Sequence, residues 1–221
     1  LADGALAGKT FYPTFTSGSS FPSSAASGTL ELYDHSIRTV VPQASSTVSY
    51  AEPLKVAANA VTTFTLAQRG SGDMATVQPG VRFAEVALAE GSTLAVAPQF
   101  TVAKASFDNL IVTGDSTLAP LDQSGVVLGD LTFRSVSPCT LTVTGNVSFG
   151  APQTITVPRT WRGHGTLTLV DCTQAEVLVA PDVDRMILVD EQGVPYGTRA
   201  RLVFAAGCLR VVPGGMAVIL R

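Results

Sequence analysis

Hydrophobic and polar residues alternate over many short segments of this chain. The segments cover residues 61–66, 92–96, 109–113, 131–134, 140–144, 154–157 and 166–170, and Gly, Pro, Asp or Ser bounds each one. Alternation with a period of two predicts β-strands with one buried face. Residues 50–60 and 83–90 are the only stretches rich in helix formers, so we expect at most one short helix. The pattern predicts an all-β fold.

A Thr–Leu phrase returns along the chain at a nearly constant spacing. It begins at Thr93, Thr117, Thr140 and Thr166, which gives steps of 24, 23 and 26 residues, and a weaker copy begins at Thr29. A regular period of this size is typical of repeat proteins. In an all-β chain it predicts a parallel β-solenoid, or β-helix, whose coils contain about 23–26 residues.

One coil can be written from residue 93 as three short strands. They cover residues 93–96, 99–102 and 110–112, with turns at Pro98, at 106–108 and at 114–115. Stacking such triangular coils predicts two columns of inward side chains, Leu94–Leu118–Leu141–Leu167 and Val96–Val143–Leu169. The alternative is an antiparallel β-sandwich, which favours Asn-Gly or Asp-Gly hairpin turns. Asp3-Gly4 is the only such dipeptide.

The chain divides into three segments by composition. Residues 1–28 are rich in Ser, Gly and Pro and form an irregular N-terminal cap or a linker, whereas residues 29–179 form the predicted solenoid. Charged residues are more frequent in 180–221, which we interpret as a C-terminal capping segment, because an open coil end is an aggregation-prone edge. Open coil ends would also allow end-to-end association.

Composition and charge narrow the class of protein. Hydrophobic residues make up 46% of the chain, charged residues only 14%, and the net charge is −3, a balance typical of stable secreted β-proteins. The scattered basic residues argue against nucleic-acid binding, and the short apolar runs argue against membrane insertion. Since the chain begins at Leu1 without Met, we expect it to be part of a larger parent polypeptide.

The three cysteines, Cys139, Cys172 and Cys208, are widely spaced. No CxxC pair occurs, so a zinc site is disfavoured and no cofactor is implied. Either all three are buried free thiols, or one disulfide joins Cys172 to Cys139 or to Cys208.

A patch formed by Trp161, Arg162 and His164 is the best candidate for ligand binding. An exposed Trp offers a sugar ring an apolar face flanked by polar donors. The alternative is that Trp161 folds onto the wall of the solenoid. His35, between Asp34 and Ser36, suggests a catalytic triad only by adjacency, and no nucleophile elbow occurs. We therefore predict no catalytic residues and no enzyme activity.

Four acidic residues, Asp108, Asp115, Asp122 and Asp130, fall within one stretch. Clustered Asp side chains on a β-helix can bind calcium or act on polysaccharide. Asp is also a common turn residue, and Asp115 and Asp130 each follow Gly at predicted turns. A polysaccharide lyase or hydrolase is therefore the alternative function, and it requires Asp108, Asp115 or Asp130 to converge on one groove.

The segments 91–94, 110–118 and 139–145 resemble repeat units of bacterial autotransporter-type passenger domains. The resemblance covers roughly residues 85–170. It implies a right-handed parallel β-helix on a secreted or surface protein, often an adhesin. We therefore expect a non-enzymatic extracellular structural or adhesive module of a larger bacterial protein, with an extracellular glycan or a host or cell-surface protein as partner. A sugar-binding β-sandwich is a further alternative.

Overall fold

The described part of the chain folds mainly into β-strands. The computed structural model describes residues 30–32, 37–40, 48–50, 53–66, 80–98, 104–122, 124–150, 153–162 and 164–214. The strands are β1 Leu30–Leu32, β2 Ile37–Val40, β3 Val48–Tyr50, β4 Leu54–Val56, β5 Val61–Leu66, β6 Gly80–Leu88, β7 Thr93–Pro98, β8 Lys104–Val112, β9 Ser116–Pro120, β10 Gly125–Phe133, β11 Leu141–Val143, β12 Asn146–Phe149, β13 Thr154–Thr156, β14 Leu167–Asp171, β15 Val177–Val179, β16 Ile187–Val189, β17 Ala200–Ala205 and β18 Cys208–Pro213. Two 3₁₀ helices cover Arg159–Trp161 and Gly197–Arg199.

The all-β prediction is confirmed, and the short helix is not found. Described residues of both candidate segments fall in strands or turns instead, with β4 inside 50–60 and β6 covering most of 83–90. No α-helix occurs in the described residues. In both segments buried hydrophobic residues are separated by more exposed ones, as in Leu54-Lys55-Val56, so burial on one strand face overrides their helix propensity.

The strands form two sheets that the chain visits in turn. The first sheet has the order β1-β4-β6-β8-β10-β12-β15, with β3, β13 and β16 attached to it. The second has the order β17-β18-β14-β11-β9-β7-β5-β2. Every described strand pair from β1 to β16 is parallel, and antiparallel strand pairs join only β14, β17 and β18. This parallel pairing differs from that of an antiparallel sandwich.

The register matches the predicted period only in part, and it corrects the predicted columns. The steps are 24 and 25 residues from Thr93 to Thr117 and from Thr117 to Thr142, but 32 from Val61 to Thr93 and 29 from Leu141 to Val170. Leu94 lies opposite Leu118, as expected, but Leu118 lies opposite Val143, while Leu141 lies opposite Ser116. Val96 lies opposite Pro120, so the second predicted column does not form as drawn. The shift is two residues, which keeps each side chain on the same face of the strand.

The last predicted member of the first column also lies elsewhere. Leu167 lies opposite Val211 of the antiparallel strand β18, whereas Leu141 lies opposite Val170. Leu169 and Val170 are both fully buried. The register shift in the β14–β18 pair, between Thr168 and Val170, explains how two neighbouring side chains of one strand become buried.

Three long strands of the first sheet invert their alternation halfway along. In β8, Phe107 and Leu110 are buried, and the two residues between them, Asp108 and Asn109, are only half-buried. The same inversion separates Phe83 from Val86 in β6 and Leu128 from Leu131 in β10. Two consecutive outward residues change the direction of the strand.

The two halves of a long strand correspond to separate strands elsewhere. β12 and β13 pair with the first and second halves of β10, and β3 and β4 pair with those of β6. Each repeat therefore has three strand positions. The predicted turn at 106–108 does not separate two strands. β8 continues through these residues, and the bend occurs inside it. The turn at 114–115 is confirmed, and the predicted strand at 99–102 lies outside the described residues.

The buried side chains form one continuous cluster between the sheets. The cluster extends from Leu54 to Val211. Within it the rings of Phe64, Phe83 and Phe107 stack, with centroid separations of 4.9 and 5.6 Å. Offset stacking of aromatic rings at such distances stabilises the contact beyond the area that it buries.

A β-hairpin ends the second sheet. β18 pairs antiparallel with β14, and β17 returns alongside β18. Ala206 and Gly207 connect them with φ of 49° and 73°, the positive values that a type I′ turn requires. The segments 1–28 and 215–221, which hold the predicted N-terminal cap and the chain's last residues, lie outside the described residues.

Candidate functional site

A buried carboxylate organises the polar region next to the predicted ligand patch. Asp190 directly follows β16 and is fully buried. Its Oδ2 accepts from Arg159 Nε at 2.9 Å and from Arg162 Nη2 at 3.1 Å. Its Oδ1 accepts the backbone N–H groups of Gln192 and Val194 at 3.0 and 2.8 Å. Both oxygens are thus occupied, as a buried carboxylate requires.

The surroundings of Asp190 keep it ionised. Burial raises its pKa, but the amides of Val194 and Gln192 and the charges of Arg159 and Arg162 outweigh burial and lower the pKa below its usual value. A carboxylate with a lowered pKa and four donors is unsuited to proton transfer at neutral pH. Asp190 therefore holds the chain segments together.

Arg162 connects this carboxylate to an aromatic ring. Its guanidinium carbon lies 4.6 Å from the ring centroid of Tyr196, a cation–π distance. The Tyr196 hydroxyl lies 3.0 Å from the carbonyl oxygens of both Val157 and Pro158, to which it donates. Burial raises the pKa of Tyr196. Through these contacts Tyr196 holds the residues after β13 against the segment that follows β16.

Trp161 does not offer a stacking surface. The residue is 2% exposed, its indole N–H donates to the carbonyl of Ser135 at 3.1 Å, and its ring contacts Phe133 at 5.8 Å between centroids. A sugar platform needs a ring face open to solvent, so the alternative interpretation, that Trp161 folds onto the wall, describes this geometry. The reason is the 3₁₀ helix 159–161, which turns the side chain inward.

The other two predicted ligand residues differ in exposure. Arg162 is half-buried and engaged with Asp190 and Tyr196, whereas His164 is exposed and donates its backbone N–H to the Trp161 carbonyl at 3.3 Å. The three residues thus lie together at one turn. Only Arg162 and His164 present polar groups to solvent.

Three of the acidic residues of the central stretch bond to named groups of the chain, and the four do not all lie on one sheet. Asp115 accepts the N–H of Thr140, and Asp130 accepts the N–H of Thr154, both at 2.7 Å. Asp108 pairs with Arg82 at 2.7 Å. Asp108 and Asp130 belong to the first sheet, while Asp115 precedes the second-sheet strand β9. The turn interpretation accounts for Asp115, and Asp122, with φ of 54°, also occupies a turn.

A groove opens at the C-terminal end of the core. Its volume is about 590 Å³, and it lies between β16 and β17. Apolar side chains, among them Val183, Met186, Leu202 and Phe204, share its lining with Asp184 and Arg201. Sequence reasoning missed this groove because its walls come from segments that meet only when the hairpin folds back.

The three cysteines are buried and free. Burial raises the pKa of Cys139 and Cys172 to about 12 and raises the pKa of Cys208 as well. The interpretation of three buried thiols is therefore confirmed, and the alternative disulfide is not formed. In the described part of the chain, no group of three or more His, Cys, Asp or Glu side chains could hold a metal ion.

Comparison with known proteins finds no relative. No protein-family profile, curated protein or solved structure matches this chain. None of the helices among the described residues has the length and apolar character needed to cross a bilayer. His35 and its neighbours lie outside the described residues.

Proposed function

We propose that the chain is a parallel β-solenoid that acts as a non-enzymatic structural and adhesive module of a larger extracellular bacterial protein. The observation that carries the proposal is the parallel register from repeat to repeat, in which Thr93, Thr117 and Thr142 lie opposite one another. Each repeat contacts mainly its neighbours, so length can be added without a new core. Such a stack suits a rigid spacer on a cell surface.

The engagement of the acidic side chains supports a non-enzymatic role. Polysaccharide hydrolysis needs two carboxyl groups that flank one bond, at separations of roughly 5–10 Å. Asp115 and Asp130 are bonded to backbone amides, and Asp108 is paired with Arg82. These contacts give each of the three carboxylates a structural role.

The outward faces support an adhesive role. Thr93, Thr117 and Thr142 are half-buried and in register, so they form a ladder of hydroxyl and methyl groups. At the turn that precedes β14, Arg162 and His164 add donors that can bind glycan hydroxyl or carboxylate groups. A glycan or a cell-surface protein is the partner that these faces fit.

The architecture is tested by NMR on isotope-labelled protein. We expect amide contacts linking residues 93, 117 and 142 in series, between parallel strands about 4.8 Å apart. Antiparallel contacts between strands that follow each other in the sequence would contradict the solenoid.

The adhesive role is tested by glycan arrays and by pull-down from cell-surface extracts with the intact chain. We expect Arg162→Ala and His164→Ala to weaken binding, whereas Arg185→Ala, an exposed arginine away from this turn, keeps it. Absence of any ligand at ~1 mM would remove the adhesive role and leave the spacer, since that concentration already corresponds to very weak binding. Equal binding by all variants would place the contact on another face.

A further inference from the structure

Among the described residues, one edge of the second sheet ends at β17. β17 pairs with β18 on one side, and no strand of the described residues pairs with its other side. The edge of β16 differs from that of β17, because one of its backbone groups already has a partner. The Leu188 carbonyl accepts the N–H of Tyr196 at 3.1 Å. An unpaired edge exposes N–H and C=O groups that can pair with another chain.

The hairpin turn decides which backbone groups of β17 point outward. A two-residue turn makes Ala205 and Cys208 a hydrogen-bonded pair, and such pairs alternate along an antiparallel ladder. Ala205, Val203 and Arg201 therefore bond to β18. The backbone N–H and C=O groups of Leu202 and Phe204 point to the open edge.

We propose that β17 pairs antiparallel with β17 of a second copy about a twofold axis at Val203. In this register Leu202 of each copy lies opposite Phe204 of the other, and these are the residues whose backbone groups point outward. Leu202 is buried and Phe204 half-buried, and both line the groove. The apolar face of one sheet thus continues into the other, as a sheet with one buried face requires.

The side chains of β17 suit a second copy of the same strand. Arg201 is its only charged residue and lies opposite Ala205 of the other copy, so no like charges face each other. Val203 lies opposite itself. A twofold interface uses the same patch on both subunits, which a strand symmetric about Val203 provides. Because a six-residue strand buries little area, we expect a dissociation constant on the order of micromolar.

The test measures molar mass by light scattering and sedimentation over a concentration series. Wild type is expected to move from 22.9 kDa toward twice that mass as concentration rises. Val203→Glu and Val203→Lys each place like charges opposite one another, so each should raise the dissociation constant ~5-fold or more. An equimolar mixture of the two variants should restore dimers. Position 203 lies opposite itself across the twofold axis, so a mixed dimer places a Glu opposite a Lys and the two charges attract.

A matched control places the same substitution far from the edge. Val136→Glu, at a residue that is 91% exposed between β10 and β11, should dimerise as wild type does. Circular dichroism and thermal melting show whether each variant folds. If Val203→Glu does not fold, the comparison of Val203→Lys with wild type remains the test. Wild type that stays monomeric at ~200 µM, variants that dimerise normally, or a mixture that stays monomeric would each overturn the proposal. A foreign strand bound to a monomeric wild type would also overturn it.

Discussion

Buried polar side chains in the described part of this fold differ in how completely they are paired. Asp190 uses both carboxylate oxygens, whereas the hydroxyls of Ser92 and Ser116 are buried without a hydrogen-bond partner. A buried polar group costs free energy when it lacks a partner and little when it is paired. The two kinds of site therefore predict opposite responses to substitution.

Asp190→Asn should destabilise the chain more at neutral pH than in acid. The lowered pKa of Asp190 means that its stabilising effect is present above the unfolded pKa of about 3.9 and is lost as pH falls through the folded pKa. Urea unfolding of both proteins at pH 7 and pH 2.5 measures this. A stability difference that is equal at the two pH values would contradict the structural role of the charge.

Ser92→Ala and Ser116→Ala should each stabilise the chain. The residues are 1% and 5% exposed, and removing an unpartnered hydroxyl recovers about 1 kcal/mol of desolvation cost. For a chain of this size we expect a melting temperature higher by ~2–4 °C. Thermal unfolding followed by circular dichroism measures it.

Ser124→Ala is the matched control for these two variants. Its hydroxyl donates to the Val96 carbonyl at 2.7 Å, so losing it should destabilise the chain by about 1 kcal/mol. If all three variants change stability in the same direction, hydrogen-bond satisfaction is not what distinguishes these serines.

At the scale of elements, the bend inside the long strands depends on close backbone approach. Gly129 lies at the inversion of β10, and a Cβ there would come within 2.5 Å of the Asp108 carbonyl oxygen and 2.6 Å of that of Phe107. Both are backbone atoms of the neighbouring strand and cannot move aside. Glycine is therefore required where adjacent repeats bend together.

Gly129→Ala should destabilise the chain by ~1–3 kcal/mol, the usual cost of overpacking. Gly165→Ala is the control, since a Cβ at Gly165 meets nothing within 4 Å. Urea unfolding of the two variants and wild type gives the comparison. A Gly129 variant as stable as the Gly165 variant would show that the strands separate easily at the bend.

The strands, and their period from Thr93 to Thr142, could be predicted from the sequence, but their register could not. The Thr–Leu phrase recurs at Thr117 and Thr140, yet Thr117 pairs with Thr142. The loop between β10 and β11 accommodates this difference of two residues between the sequence phrase and the strand pairing. Because alternation has a period of two, a two-residue slip leaves the same side chains inside. The hydrophobic pattern contains no information that excludes it.

The residues of the candidate site could be singled out from the sequence, but their contacts could not. Trp161, Arg162 and His164 do lie close together beside other polar groups, but Trp161 is buried by contacts with Phe133 and Ser135, which belong to the preceding repeat. Asp190 lies about 30 positions from both of its arginine partners. Only the stacking of repeats brings these groups together, and local sequence patterns do not report which groups stack.

At the scale of the whole molecule, one continuous core joins the strands from β4 to β18. The cluster of buried side chains runs from Leu54 to Val211 without a polar layer that would divide it. A repeat array whose neighbours share such an interface unfolds as one unit when the array is short. Cys139 lies in the middle of the stack and Cys172 near its C-terminal end, so the two thiols report on different parts of it.

We expect both thiols to become reactive at the same urea concentration. In the folded chain, burial and a pKa of about 12 for Cys139 and Cys172 should prevent reaction with a thiol reagent at pH 8, because the thiolate is the reacting form. Pulsed alkylation across a urea series, with the modified positions read by mass spectrometry, gives a midpoint for each thiol. Equal midpoints that match the loss of circular dichroism would establish one cooperative unit. A lower midpoint for Cys172 would instead mean that the C-terminal hairpin and β14 separate first, in which case stability would have to be assigned repeat by repeat.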